Sequence, residues 1–87
     1  MVLYFTAAWC GPCKTFKPIV QEVQANMGIN VNYVDIDVSP ELVMKYGITS
    51  VPTLIIEHDG NTLYRKTGIM SKSDLIQVMR QHTQPIL

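Results

Sequence analysis

Apolar and polar positions run along the chain in several distinct rhythms. Residues 2–6 (Val-Leu-Tyr-Phe-Thr) form a short, nearly continuous apolar stretch rich in β-branched and aromatic side chains. That pattern predicts a central strand buried on both faces. Over residues 11–27 the period changes. Phe16, Ile19, Val20, Val23 and Met27 recur at i, i+3, i+4, i+7 and i+11, the stripe of an amphipathic helix. Gly28 fits its C′ stop. Pro18 falls inside this pattern and deletes one i→i−4 bond, so a kink is expected there.

Residues 30–36 (Asn-Val-Asn-Tyr-Val-Asp-Ile) alternate as a second strand. Ser39-Pro40-Glu41 reads as N-cap, N1 and N2 of a short helix that stops at Tyr46-Gly47. Residues 53–57 form a third strand, and Asp59-Gly60 is a hairpin turn signal leading into a return strand over 62–66. Ser71 and Asp74 form a capping box with the shorter acid. Leu75, Val78, Met79 and His82 then share one face of a last helix. The order is β-α-β-α-β-β-α, an α/β fold. The first βαβ unit needs a right-handed crossover, which makes its strands parallel, while the hairpin supplies antiparallel pairing. The expectation is a mixed four-stranded sheet with helices on both faces.

Eighty-seven residues make one domain, 1–87, with 47% hydrophobic and 16% charged positions. A domain this short buries only roughly 60–65% of the surface its unfolded chain exposes, so spare stability is small. Seven basic residues balance seven acidic ones. That balance argues against electrostatic binding of nucleic acid and against a polybasic membrane patch. No apolar run approaches the ~20 residues of a membrane span, and the first residues carry no basic leader region. The expectation is a soluble, cytoplasmic, monomeric protein. Two cysteines are too few for a disulfide-rich secreted scaffold.

Those two cysteines carry the chemistry. Trp9-Cys10-Gly11-Pro12-Cys13 stands where the first strand ends and the first helix begins. Cys10 therefore lies beside unpaired backbone N–H groups and the positive end of the helix dipole, which favour thiolate over thiol. Cys13 follows one turn later, within the separation a disulfide tolerates. One sulfur can attack while the other resolves. Pro12 is harmless in a first turn. Two other uses of the pair exist. As a staple, so small a loop contributes only about 2 kcal/mol. As half of a zinc site it lacks partners, because His58 and His82 do not have finger spacing.

With Trp-Cys-Gly-Pro-Cys on a strand-to-helix turn, the sequence resembles the thioredoxin family, and the likeness runs the length of the chain. Lys14 and Pro18 follow the cysteines as in that family, Pro18 matching the proline that bends the active-site helix. Lys45 to Leu54 (Lys-Tyr-Gly-Ile-Thr-Ser-Val-Pro-Thr-Leu) looks like the family's stretch around its cis-proline. Gly60 and Gly68 match its hairpin and groove glycines. The resemblance implies a cis peptide between Val51 and Pro52, although only about 5–6% of X–Pro bonds are cis. It also implies an apolar substrate groove rimmed by Trp9, Gly11, Pro12, Val51, Pro52, Gly68 and Ile69, where an extended substrate segment pairs with the Val51 backbone. By the same analogy, Asp37 accepts a hydrogen bond from the Trp9 indole.

The resemblance further implies a protein disulfide reductase. Cys10 and Cys13 are then its catalytic residues, with no cofactor or metal in the chain. Disulfide-containing proteins are its substrates, and a thioredoxin reductase or an equivalent donor restores the dithiol. Two departures stand out. The family's usual first strand and helix precede the active-site strand, whereas this chain begins at that strand, leaving residues 30–36 as an exposed edge. The family's buried acid, six residues before the first cysteine, is Tyr4 here, and the lysine that partners it aligns with Tyr33. A tyrosine is a poor base at neutral pH. Proton removal from Cys13 then falls to water, Asp35 or Asp37, or else the aromatic pair serves stability alone. Two rival functions share the resemblance. One is a glutathione-dependent, glutaredoxin-like oxidoreductase, favoured by the compact layout and disfavoured by the motif and the single Gly68. The other is a binding subunit in which redox chemistry is incidental.

Overall fold

The apolar run at the start of the chain forms strand β1 (Val2–Thr6), in which Tyr4 and Phe5, pointing to opposite faces, are both 0% exposed. Only a strand covered on both sides does this. In the computed structural model, which describes residues 1–83, β1 sits inside a four-stranded sheet ordered β2-β1-β3-β4. The last four residues of the expected 1–87 domain lie outside the described residues. Helix α1 (Gly11–Met27) follows, then β2 (Val31–Asp35), α2 (Pro40–Tyr46), β3 (Thr53–His58), β4 (Asn61–Thr67) and α3 (Lys72–Thr83). Strand β2 runs parallel to β1, while β3 is antiparallel to both β1 and β4.

The pleat sorts the core into two layers. Val2, Tyr4, Leu54 and Ile56 face α1 and α3, where Phe16, Val20, Val23, Leu75 and Met79 meet them. Leu3, Phe5, Val34 and Ile55 face the other way, toward α2. The two coverings differ in strength. Helix α1 buries Cys13, Phe16, Val20 and Val23, whereas α2 has no fully buried residue and packs through half-buried Leu42, Val43 and Tyr46.

Local signals operate largely as the sequence indicates. Gly28 ends α1 in the left-handed conformation, φ 65°, with its N–H bonded to the Gln24 carbonyl. Helix α1 continues through Pro18. Asp59 and Gly60 both take positive φ, 51° and 81°, in the hairpin turn. The Ser71 hydroxyl accepts the Asp74 N–H at 3.2 Å, one half of the capping box. Ser39 departs from the pattern. It occupies the N-cap position of α2, but its side chain makes no capping bond. Its backbone carbonyl does accept the Leu42 and Val43 N–H groups.

Candidate active site

Strand β1 ends at Thr6, and Ala7 to Cys10 form the short turn that feeds α1. Cys10 is the N-cap residue, with extended backbone at φ −88° and ψ 112°. Its Sγ accepts the Cys13 backbone N–H at 3.2 Å. A sulfur thus occupies the place where a serine or aspartate oxygen usually meets a first-turn donor. The same sulfur is bonded to Cys13 Sγ as a disulfide, with the Cα atoms 5.2 Å apart. Cys13 is 1% exposed and Cys10 4%, so both are walled in by protein, Cys13 more completely. Ala7 packs on the pair, joined by half-buried Ile36 and Val51.

The loop between α2 and β3 supplies the facing wall. The Val51–Pro52 peptide is cis, as the resemblance implies. The Val51 carbonyl oxygen lies 3.7 Å from Cys10 Sγ. The Thr53 hydroxyl donates to the Ser50 carbonyl at 2.7 Å, which closes the loop at its base. Gly68 donates its N–H to the Pro52 carbonyl at 2.9 Å, and Ile69 beside it is 47% exposed. Gly68 has φ 98°, a conformation L side chains rarely adopt. On the cysteine side, Trp9 is 66% exposed and its indole Nε1–H donates to Asp37 Oδ2 at 2.9 Å. Gly11 and Pro12 are exposed at the start of α1, with open space around Gly11. The broad concavity lined by Met27, Ile29, Arg80 and His82 lies at the opposite end of the sheet.

Beneath the disulfide, Tyr4 sits where the resemblance would place an acid. Its hydroxyl donates to the Cys13 carbonyl at 3.0 Å. Its ring meets Phe16 at 5.8 Å and stands edge-on to Tyr33 at 5.7 Å. Burial pushes the Tyr4 hydroxyl up to about 12, so it is protonated and neutral at pH 7. Burial also raises Tyr33. The Tyr33 hydroxyl donates to Gln24 Oε1 at 2.6 Å, and the Lys17 ammonium lies 5.5 Å from the centre of its ring. Asp35, the other carboxylate considered for Cys13, accepts the Asp37 N–H at 2.9 Å.

A strand thus delivers a sulfur pair to a helix start, against an apolar wall. Fold and site define a thiol–disulfide exchange domain. The thioredoxin family model matches residues 1–81, and the chain belongs to the thioredoxin family. It is 36% identical over 84 residues to the thioredoxin of Chlamydia caviae, covering 95% of this chain and 82% of that one. Against the thioredoxin of Bacillus subtilis it is 35% identical over 80 residues, covering 90% and 77% of the two chains. Among solved structures, it superposes on a malaria parasite thioredoxin-2 with a TM-score of 0.87 at 34% identity, over 93% of this chain and 81% of that one. An N21Q mutant thioredoxin from Halobacterium salinarum gives a TM-score of 0.88 at 28% identity, over 99% and 76% of the chains. The protein is a thiol–disulfide oxidoreductase with protein disulfide reductase activity. Its partners, in general, are disulfide substrates and a reductase that renews its electrons.

Proposed function

We propose that Cys10 is the attacking sulfur, Cys13 the resolving one, and Trp9, Gly11, Pro12, Val51, Pro52, Gly68 and Ile69 the groove that seats a disulfide-bearing polypeptide. One observation carries this reading. Cys10 Sγ accepts a first-turn N–H at 3.2 Å while bonded to the sulfur one helical turn on. That donor and the positive helix end both favour the thiolate once the bond is reduced.

The exchange then balances in two steps. The Cys10 thiolate attacks a substrate disulfide. The substrate bond breaks, a Cys10–substrate bond forms, and one substrate sulfur leaves as thiolate and takes a proton. Cys13 gives up its proton and attacks Cys10 Sγ. The mixed disulfide breaks, the second substrate thiolate leaves, and the Cys10–Cys13 bond forms. Two electrons have moved from the dithiol to the substrate. A thioredoxin reductase, or a donor equivalent to it, returns them. The Val51 backbone offers the strand-like contact along which the substrate segment lies. Asp37 holds the Trp9 indole on one side of that path, and Pro18 is a supporting residue of α1.

We place the protein in the cytoplasm, where dithiols are kept reduced. Among the described residues no helix is long and apolar enough to cross a membrane. It acts as a monomer, since one chain carries both sulfurs and both walls of the groove. A net charge of zero supports neither nucleic acid nor an anionic membrane as a partner.

Insulin reduction tests the assignment. Cys10→Ser is expected to abolish turnover. Cys13→Ser is expected to accumulate a mixed disulfide through Cys10, visible by non-reducing electrophoresis and mass spectrometry. Undiminished turnover in Cys10→Ser would overturn the reading.

A further inference from the structure

We propose that Arg65 is a positioning residue for the exchange reaction: its guanidinium seats the C-terminal end of α2, and through α2 it sets the Val51 wall of the groove. The inference rests on the groove reading above. Arg65 lies on β4, across from Ile55, on the face that α2 covers. Its Nη1 donates to the Tyr46 carbonyl, and its Nη2 donates to the Gly47 carbonyl at 2.9 Å.

Those two carbonyls have few other partners. A helix leaves its last four carbonyls without intrahelical donors. Here the Val43 and Met44 carbonyls are taken up by Ile48 N–H at 3.0 Å and Gly47 N–H at 3.3 Å. Beyond Lys45, the Tyr46 and Gly47 carbonyls reach across to the sheet, where one planar fork spans both. This is charge-assisted bonding at the negative end of the helix dipole. A lysine, with a single point charge, cannot reproduce a two-carbonyl fork.

Weak packing elsewhere makes the fork matter. Helix α2 has no fully buried residue. Among the described residues, its other side-chain polar tie to the sheet is the Tyr46 hydroxyl, which donates to Glu57 Oε1 at 2.7 Å. Both ties hold the same end, and that end leads directly into the loop that places the Val51 carbonyl 3.7 Å from Cys10 Sγ. At the other end, Asp37 precedes α2 and holds the Trp9 indole. The helix therefore spans from one side of the groove to the other. Releasing its C-terminal end loosens the wall a polypeptide must pair with, and leaves in place the sulfur pair held by the turn before α1 and the first turn of α1.

The test measures steady-state kinetics for Arg65→Ala and Arg65→Lys on two oxidants, insulin and the small aromatic disulfide 5,5′-dithiobis(2-nitrobenzoate). Arg65→Ala is expected to raise KM for insulin roughly three- to tenfold. Its rate with the small disulfide should stay within about twofold, because a small disulfide needs only the sulfurs. Arg65→Lys should recover part of the insulin KM. If Arg65→Ala is too unstable to assay, Arg65→Gln is read in its place against the same criteria. An unchanged insulin KM overturns the proposal, and so does an equal loss on both oxidants. Trp9→Ala, run alongside, reads the groove by itself. If it leaves the insulin KM unchanged, the groove reading fails. If it raises KM and Arg65→Ala does not, the role of Arg65 alone fails.

Discussion

The hydroxyl of Tyr4 is bound to the backbone of the resolving cysteine: it donates to the Cys13 carbonyl at 3.0 Å from a side chain with no exposed surface. The Lys14 N–H on the same peptide unit donates to the Cys10 carbonyl at 3.3 Å. Hydrogen bonds joined through one peptide unit polarise one another. Strand β1 is thereby tied to both cysteines through a neutral group.

Burial of the Tyr4 hydroxyl contributes to the alkaline limit of stability. Tyr4 ionises near 10 when unfolded and is held up to about 12 by burial in the fold. Above pH 10 the unfolded chain loses a proton that the folded chain keeps. The stabilisation is full below pH 10 and is lost as pH rises toward 12. Tyr46, raised to about 12 chiefly by its bond to Glu57, acts in the same direction. Urea titrations of the oxidised protein from pH 8 to 12 should show this decline. Tyr4→Phe should remove its share, on the order of 2 kcal/mol, and cost about 1 kcal/mol at neutral pH for the lost hydrogen bond. An alkaline limb unchanged in Tyr4→Phe would contradict the assignment.

A carboxylate at position 4 should exchange stability for speed. Tyr4→Asp removes a ring packed between Phe16 and Tyr33 and buries an acid, at a cost of roughly 3–5 kcal/mol. Burial raises such an acid's pKa, so the variant should lose further stability as pH rises from about 4 through the raised value. In return it places a proton acceptor beneath Cys13. Insulin turnover at pH 7 is expected to rise severalfold and to gain a new inflection with pH. Turnover no faster than the parent's would mean that proton removal from Cys13 does not depend on residue 4.

Asp37 can be read through the only tryptophan in the chain. Its carboxylate accepts the Trp9 indole N–H at 2.9 Å at the surface. Asp37→Ala should free the ring, lower its steady-state fluorescence anisotropy and raise KM for insulin. Stability should change by less than about 0.5 kcal/mol, as for other exposed sites. Unchanged anisotropy would show that the indole is held by something else.

One close contact should matter little. Lys72 meets Glu22 at 2.6 Å between α3 and α1, but both side chains are about half exposed. Screened pairs of this kind contribute about 0–1 kcal/mol. Lys72→Met should shift the urea midpoint barely at all, and less still at 0.5 M salt. A loss above about 2 kcal/mol would refute that accounting.

Sequence legibility followed the range of each interaction. The period over 11–27, the glycine stop and the Asp59-Gly60 turn depend on neighbours a few residues away, and the elements appear there. Strand ends moved by one residue, because pairing partners decide them: β2 is shorter than 30–36, and β3 and β4 are longer than 53–57 and 62–66. The cysteine turn was legible because one strand end and one helix start carry it. The Trp9–Asp37 bond, across 28 residues, was accessible only through the family resemblance. Three features gave no sequence signal: the Arg65 fork, the Tyr46–Glu57 bond and the Tyr4 link to the Cys13 backbone. Each joins residues that only the folded sheet brings together. Ser39 shows the converse, a residue type suited to a cap whose hydroxyl goes unused there.

The thin seating of α2 has a dynamic consequence. Local opening is cheapest where few apolar groups are fully covered, and α2 has no fully buried residue of its own, while the sulfurs at the start of α1 are 4% and 1% exposed. Rigidity and compliance are thus divided between the two sides of one reaction centre. A firm side can keep the chemistry constant while a yielding side moulds itself to disulfides in differently shaped clients, giving breadth of substrate choice without loosening the atoms that react.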